Sequence, residues 1–163
     1  EREKEIEIEI NNQKFVGHID FVLKDTTEIN DESVDFASII EFKSTAKFSD
    51  DLVELYLKQL MAYYFTFQTE THLMIIPVLV IYDFVQKRFI EISTWLGEFV
   101  RFENDEPVRD SYYKDILYYK NLFEKNKEAY LNNRYVSGID GIQCRFCPLR
   151  KECIGGKNYL RDD

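Results

Sequence analysis

The sequence predicts a mixed α/β fold in which one sheet is flanked by helices, and three observations carry that prediction. Several short segments alternate apolar and polar residues with period two, the signature of half-buried strands. Two longer segments repeat their apolar residues at helical spacing. The order along the chain is βββαββα, so a strand meander is followed by a helix that leads back into further strands.

Residues 5–10, EIEIEI, alternate strictly and read as a half-buried strand. Asn11, Asn12 and Gln13 form a turn, and residues 14–25 alternate again. In that second strand Phe15, Ile19, Phe21 and Leu23 share one face, while His18 and Asp20 share the other. Residues 26–33, TTEINDES, read as a polar loop, and residues 34–43 as a third strand. Short connections between these three suggest an antiparallel meander. Ser49 is suited to cap a helix over 50–68, with Asp50 and Asp51 in its first turn. Leu52, Val53, Leu55, Leu60 and Tyr63 supply its apolar stripe. Two strands follow, in 73–84 and 88–94, and the acidic stretch Glu103 to Glu106 reads as a solvated loop. A long amphipathic helix is expected over 109–133, then a loop and a cysteine-bearing tail.

Composition bounds the answer. The 163 residues, 45% hydrophobic, suffice for one domain with a sizeable core. No apolar run reaches the roughly 18 residues of a membrane span, and no signal peptide is visible, so a cytoplasmic (intracellular) protein with no membrane partner is expected. The chain begins at Glu1 rather than Met and reads as a fragment. A formal charge of −9 argues against nucleic acid when taken alone. That argument fails where carboxylates gather for a divalent cation, because the ion inverts the local sign. Basic residues also cluster: Lys43, Lys47 and Lys58 near the third strand, and Arg145, Arg150, Lys151, Lys157 and Arg161 in the tail. Three closely spaced cysteines, Cys144, Cys147 and Cys153, argue against a disulfide framework and for an intracellular metal site.

The third strand poses the chemical question. Ile39 and Ile40 announce a buried strand, yet Glu41 and Lys43 follow on one face, and a buried charge is costly unless it is paired or binds a metal. Asp20 lies on the neighbouring strand, so an Asp and a Glu can converge on one cation. Hard oxygen ligands select Mg²⁺ or Mn²⁺, and Mg²⁺ needs only one or two carboxylates beside substrate phosphate. A lysine two residues on can orient the attacking water or stabilise developing charge. Together these parts suit metal-assisted phosphodiester hydrolysis. The plainer alternative is a buried Glu41–Lys43 ion pair with Asp20 as a solvated strand residue.

GHID (17–20) followed by EFK (41–43) resembles the G-x-x-D … E-x-K core of the PD-(D/E)XK nuclease superfamily. Gln59 and Tyr63 match the Q-x-x-x-Y motif of its RecB-like branch, and their i, i+4 spacing places both on one helical face. The C-x-x-C-x-x-x-x-x-C tail, with Pro148 after its second cysteine, is similar to the cysteine segment of RecB-like iron–sulfur nucleases. Those include the AddB-type helicase-nucleases and the CRISPR-associated Cas-four nucleases. The resemblance runs from Val16 to Cys153. It implies a restriction-endonuclease-like mixed sheet flanked by helices, with a nuclease core over 1–136 and a cysteine segment over 137–163 packed on the same domain. It implies a metal-dependent DNA exonuclease acting on single strands or duplex ends. Asp20 and Glu41 would be metal ligands, assisted by the backbone carbonyl of Phe42. Lys43 would be the catalytic lysine, and Gln59 and Tyr63 would position DNA. Cys144, Cys147 and Cys153 would be three ligands of a [4Fe–4S] cluster. Partners in CRISPR adaptation or recombination, and a homo-oligomer, accompany the same resemblance.

Two departures from that pattern stand out. No cysteine precedes Cys144, so a cluster would require an upstream fourth cysteine. The further His or Glu that completes the family's metal site is also absent, because Glu1, Glu3 and Glu5 read as strand. Loss of an N-terminal segment accounts for both; divergence, with Zn²⁺ or nothing at the cysteines, is the other account. His18 is an additional candidate ligand, whereas His72 reads as structural. Tyr112, Tyr113, Tyr118 and Tyr119 can stack on bases or pack in the core. Two rival functions remain: a catalytically silent nucleic-acid-binding or assembly module of the same fold, and a zinc-binding interaction domain.

Overall fold

Strict alternation in the fourth strand organises the molecule. In β4 (Met74–Asp83) Ile75, Pro77, Leu79, Ile81 and Asp83 are buried, while Ile76, Val78, Val80 and Tyr82 on the other face are half-buried. In β3 (Glu32–Thr45) the buried partners are Ala37, Ile39 and Glu41. The two strands run parallel with Ile39 opposite Pro77 and Glu41 opposite Leu79. Parallel strands need a crossover; here it is α1 (Asp50–Glu70). Pro77 is tolerated inside a central strand because pairing on the far side of β4 begins only at Val78.

These elements belong to a computed structural model that describes residues 1–10, 12–95, 97–103, 105–108 and 113–132. The chain divides into two compact units, Glu1–Lys120 and Asn121–Asp163. The expected cysteine segment 137–163, with Cys144, Cys147 and Cys153, lies outside the described residues, as do Asn104 and Tyr112. In the second unit the described part is the continuation of α2 (Ile116–Leu131).

The first unit holds a seven-stranded mixed sheet in sequence order, from β1 (Arg2–Ile10) and β2 (Gln13–Ile29) through β3, β4 and β5 (Arg88–Trp95) to β6 (Glu98–Glu103) and β7 (Glu106–Pro107). Every neighbouring pair except β3–β4 is antiparallel. The sheet and two helices agree with the expected mixed α/β class. The core combines Ile39, Leu79, Ile81, Ile90 and Ile92 of the sheet with Val53, Leu57, Leu60, Met61 and Phe67 of α1. Leu57 and Met61, rather than Leu52 and Leu55, thus share the buried stripe with Val53 and Leu60. Ser49 caps α1 as its sequence suggests, accepting a hydrogen bond from the Leu52 amide at 3.4 Å.

Three expectations change. The polar loop over 26–33 is instead a continuation of two strands, joined by Asn30 and Asp31 with φ of 52° and 65°. A two-residue turn with both φ positive matches the right-handed twist of a hairpin, and Thr26 Oγ1 donates to Asp35 Oδ1 across it at 2.7 Å. Polar residues misled the reading because this arm is solvated on both faces. The acidic loop at 103–106 is likewise part of a strand pair: Glu103 closes β6 and Glu106 opens β7. Finally, α2 starts at Ile116 rather than near 109, after Asp115, whose carboxylate accepts the Tyr118 amide at 2.7 Å.

Candidate active site

Glu41 is the most unusual residue of the core. Its residue exposure is 1%, and it sits in the alternation between Ile39 and Lys43 with Leu79 beside it. One oxygen, Oε1, accepts from the Lys43 ammonium. The other, Oε2, is buried and has no hydrogen-bond partner among the described residues. Burial drives its pKa above the ordinary glutamate value of 4.5, against the opposing pull of Lys43, and the nearby negative charge of Asp20 raises it further. A buried carboxylate with one open oxygen and a second carboxylate nearby lacks a positive charge that one lysine does not fully provide.

Asp20 reaches this point through a break in the ladder. The β2–β3 register runs from Ile29 to Phe21 and stops at Phe21 opposite Ile40. There the Asp20 carboxylate replaces the next backbone rung, its Oδ2 accepting the Phe42 amide at 2.8 Å. On the other side the rung that would pair Asp20 with Glu3 is missing, and Glu3 has a φ of 54°. Ile19 and Val22, three residues apart, are both buried, so the strand changes the face it presents across Asp20. Strand periodicity alone therefore does not give the aspartate's position.

Lys43 is 24% exposed at its side chain, and its ammonium lies 5.6 Å from the centre of the Tyr56 ring. Three residues along α1, the Gln59 amide donates to the Tyr63 hydroxyl at 2.8 Å. The Tyr63 ring lies against Gly17: a Cβ at that position would stand 2.6 Å from Tyr63 Cε1. The glycine of GHID is thus required by close approach of an aromatic ring, a use for which glycine inside a strand is the ordinary sign. Neither Gly17 nor Tyr56 emerged as a site residue from the sequence, although the strand glycine was legible there.

His18 is exposed and pairs across the β1–β2 ladder with Glu5, its Nε2 lying 3.5 Å from Glu5 Oε2. Among the described residues no group of three His, Cys, Asp or Glu side chains gathers to hold a metal. Asp20 lies near enough to Glu41 for its charge to act on it, and two carboxylates suit an ion that keeps waters and takes phosphate oxygens. The orphaned Glu41 Oε2 fits such an ion.

A second charged cluster lies at the start of α1. Arg88 pairs with Glu103 at 2.5 Å, Arg101 lies 3.3 Å from Glu103 and 3.5 Å from Asp50, and both guanidinium groups face the Phe48 ring. Tyr113 donates to Asp50 at 3.2 Å, and Tyr119, 2% exposed, donates to Glu54 at 2.7 Å. Tyr119 packs edge-on against Phe99. Tyr119 is therefore a core residue rather than a stacking platform, whereas Tyr118 is 41% exposed.

Among the described residues no helix is long and apolar enough to cross a membrane. No protein-family model matches the chain, and no curated protein matches it. A solved structure described as the crystal structure of SSO0001 aligns with 96% of this chain and 60% of its own, at 17% identity and a TM-score of 0.39. The chain thus spans less than two thirds of that protein, and at this distance the likeness carries no argument about fold or function.

Proposed function

We propose that this chain is a metal-dependent deoxyribonuclease of the RecB-like exonuclease type. The observation that carries the reading is Glu41, buried at 1% exposure with Oε1 on Lys43 and Oε2 without a partner among the described residues, beside the negative charge of Asp20. An unsatisfied buried acceptor costs about 1–3 kcal/mol, a cost that an ion bound at Oε2 would offset. A site that binds an ion needs that oxygen.

Asp20 and Glu41 would hold the ion, and the Phe42 carbonyl is the backbone group between Glu41 and Lys43 that the motif resemblance assigns to it. Bound Mg²⁺ or Mn²⁺ would polarise the phosphoryl group and lower the pKa of a water. Lys43, hydrogen-bonded to Glu41 Oε1, would place positive charge where the attacked phosphate gains negative charge. Gln59 and Tyr63 form a hydrogen-bonded pair on α1 and would orient the nucleic acid. Exonuclease action and DNA as substrate are what the resemblance of GHID, EFK and QLMAY to the RecB-like motifs implies. The same resemblance assigns the three cysteines to an iron–sulfur cluster.

The test is degradation of labelled single-stranded and duplex-end DNA. Digestion is expected with Mg²⁺ or Mn²⁺ and none in EDTA. Equal digestion in EDTA, or none with either ion, would sink the proposal.

A further inference from the structure

The motif residues account for Asp20, Glu41, Lys43, Gln59 and Tyr63, but not for Tyr56. It stands on the same helix, three residues before Gln59 and seven before Tyr63, so the three form one stripe. Among the described residues the Lys43 ammonium meets the Glu41 carboxylate and the face of the Tyr56 ring, 5.6 Å from its centre. An ammonium within about 6 Å of a ring centroid is attracted by the negative face of the π system, more strongly where water is thinned out. Lys43 is only partly exposed, and Tyr56 packs against the core.

The geometry matters because a lysine side chain has a flexible four-carbon stem and a strongly hydrated head. Glu41 alone does not fix that head, since an ammonium held by one contact can swing about it. A second contact from α1 makes the placement bilateral: one anchor from the sheet, one from the helix. We propose that Tyr56 is a positioning residue for Lys43, holding its ammonium by the ring face against Glu41 Oε1. This rests on the hydrolase reading for its effect on turnover, but not for the contact itself.

Two measurements keep the two levels apart. Reductive ¹³C-methylation of the intact protein gives one dimethyl-lysine resonance per lysine, and the Lys43 signal is the one that Lys43→Arg removes. A ring above it should shift that signal upfield in the wild type and in Tyr56→Phe, and the shift should vanish in Tyr56→Leu. In the DNA assay, Tyr56→Leu should lower kcat about tenfold, the size a partly desolvated cation–π contact supplies. KM and calorimetric Mn²⁺ affinity should hold steady, and Tyr56→Phe should restore kcat. Should Tyr56→Leu fail to fold, a series of progressively fluorinated phenylalanines at position 56 keeps the shape and weakens the ring face, and kcat should fall stepwise along it. An unshifted Lys43 signal in the wild type overturns the proposal whatever the DNA assay shows. So does a fluorinated series with constant kcat. A shifted signal in a protein inert towards DNA would overturn the hydrolase reading and leave the Tyr56–Lys43 contact standing.

Discussion

Glu41 carries two opposed demands. As a residue of β3 it occupies a core position, and as a carboxylate it belongs in water or on a cation. Its raised pKa means that the folded protein binds this proton more tightly than the unfolded chain does. In EDTA, stability should therefore fall as pH rises from the ordinary value of 4.5 through the raised folded value. Glu41→Gln should flatten that part of the profile, and saturating Mg²⁺ should offset the fall by favouring the carboxylate. Chemical denaturation across that pH range checks the prediction; an identical slope in Glu41→Gln would assign the effect elsewhere. Lys43 should behave differently. Lys43→Ala is expected to lower kcat on the order of a hundredfold or more, the scale of losing one preorganised charge, with the fold and metal affinity kept. Loss of Mn²⁺ binding in calorimetry without a separate rate effect would make Lys43 an orienter of the ligand set instead.

At the scale of elements, the site depends on how closely α1 lies on β2. Tyr63 occupies the space above Gly17, so Gly17→Ala forces either ring or strand to move. Overpacking of this kind costs about 1–3 kcal/mol, and thermal melting should register it. Gln59→Ala and Tyr63→Phe alter the polar tip of the pair while leaving the ring contact with Gly17 largely in place. Both should weaken DNA binding in fluorescence anisotropy more than they lower the melting temperature. Full activity combined with a lowered melting temperature would show that the pair is only packing. The helix is secured at its other end by Asp50 and Glu54, which meet Arg101, Tyr113 and Tyr119. Burial and the neighbouring Asp50 charge push the Tyr113 hydroxyl up to about 12, so it remains a donor throughout the physiological range.

At the scale of the whole molecule, the three cysteines set the remaining test. An iron–sulfur cluster takes four thiolates as a rule, and structural zinc likewise takes four ligands. The chain contains three cysteines. Purified anaerobically at this length, it should carry well under one cluster per molecule by iron assay and visible absorption. A stoichiometric cluster in the present chain would mean that another group, such as Asp140 or an exogenous thiol, completes the set.

The sequence by itself determined the elements from β1 to β5, their kinds and their order, because period two and period 3.6 are properties of the residue string and report which face is buried. The βββ meander, the Ser49 cap and the charged pair Glu41–Lys43 on one strand face were all legible in this way. The extent of the β2–β3 arm was not, since a solvated hairpin leaves no apolar trace and its turn chemistry, Asn30–Asp31, resembles any polar loop. Nor were β6, whose Glu103 is drawn into pairs with Arg88 and Arg101, and the two-residue β7. Only the tertiary structure decided how Asp20 meets the Phe42 amide, because that depends on a broken rung in the ladder. It alone decided that Glu41 keeps one oxygen open and that Tyr56 stands over Lys43. Such contacts join residues far apart in the chain, and their distances follow from where the helix settles on the sheet, which no local periodicity encodes.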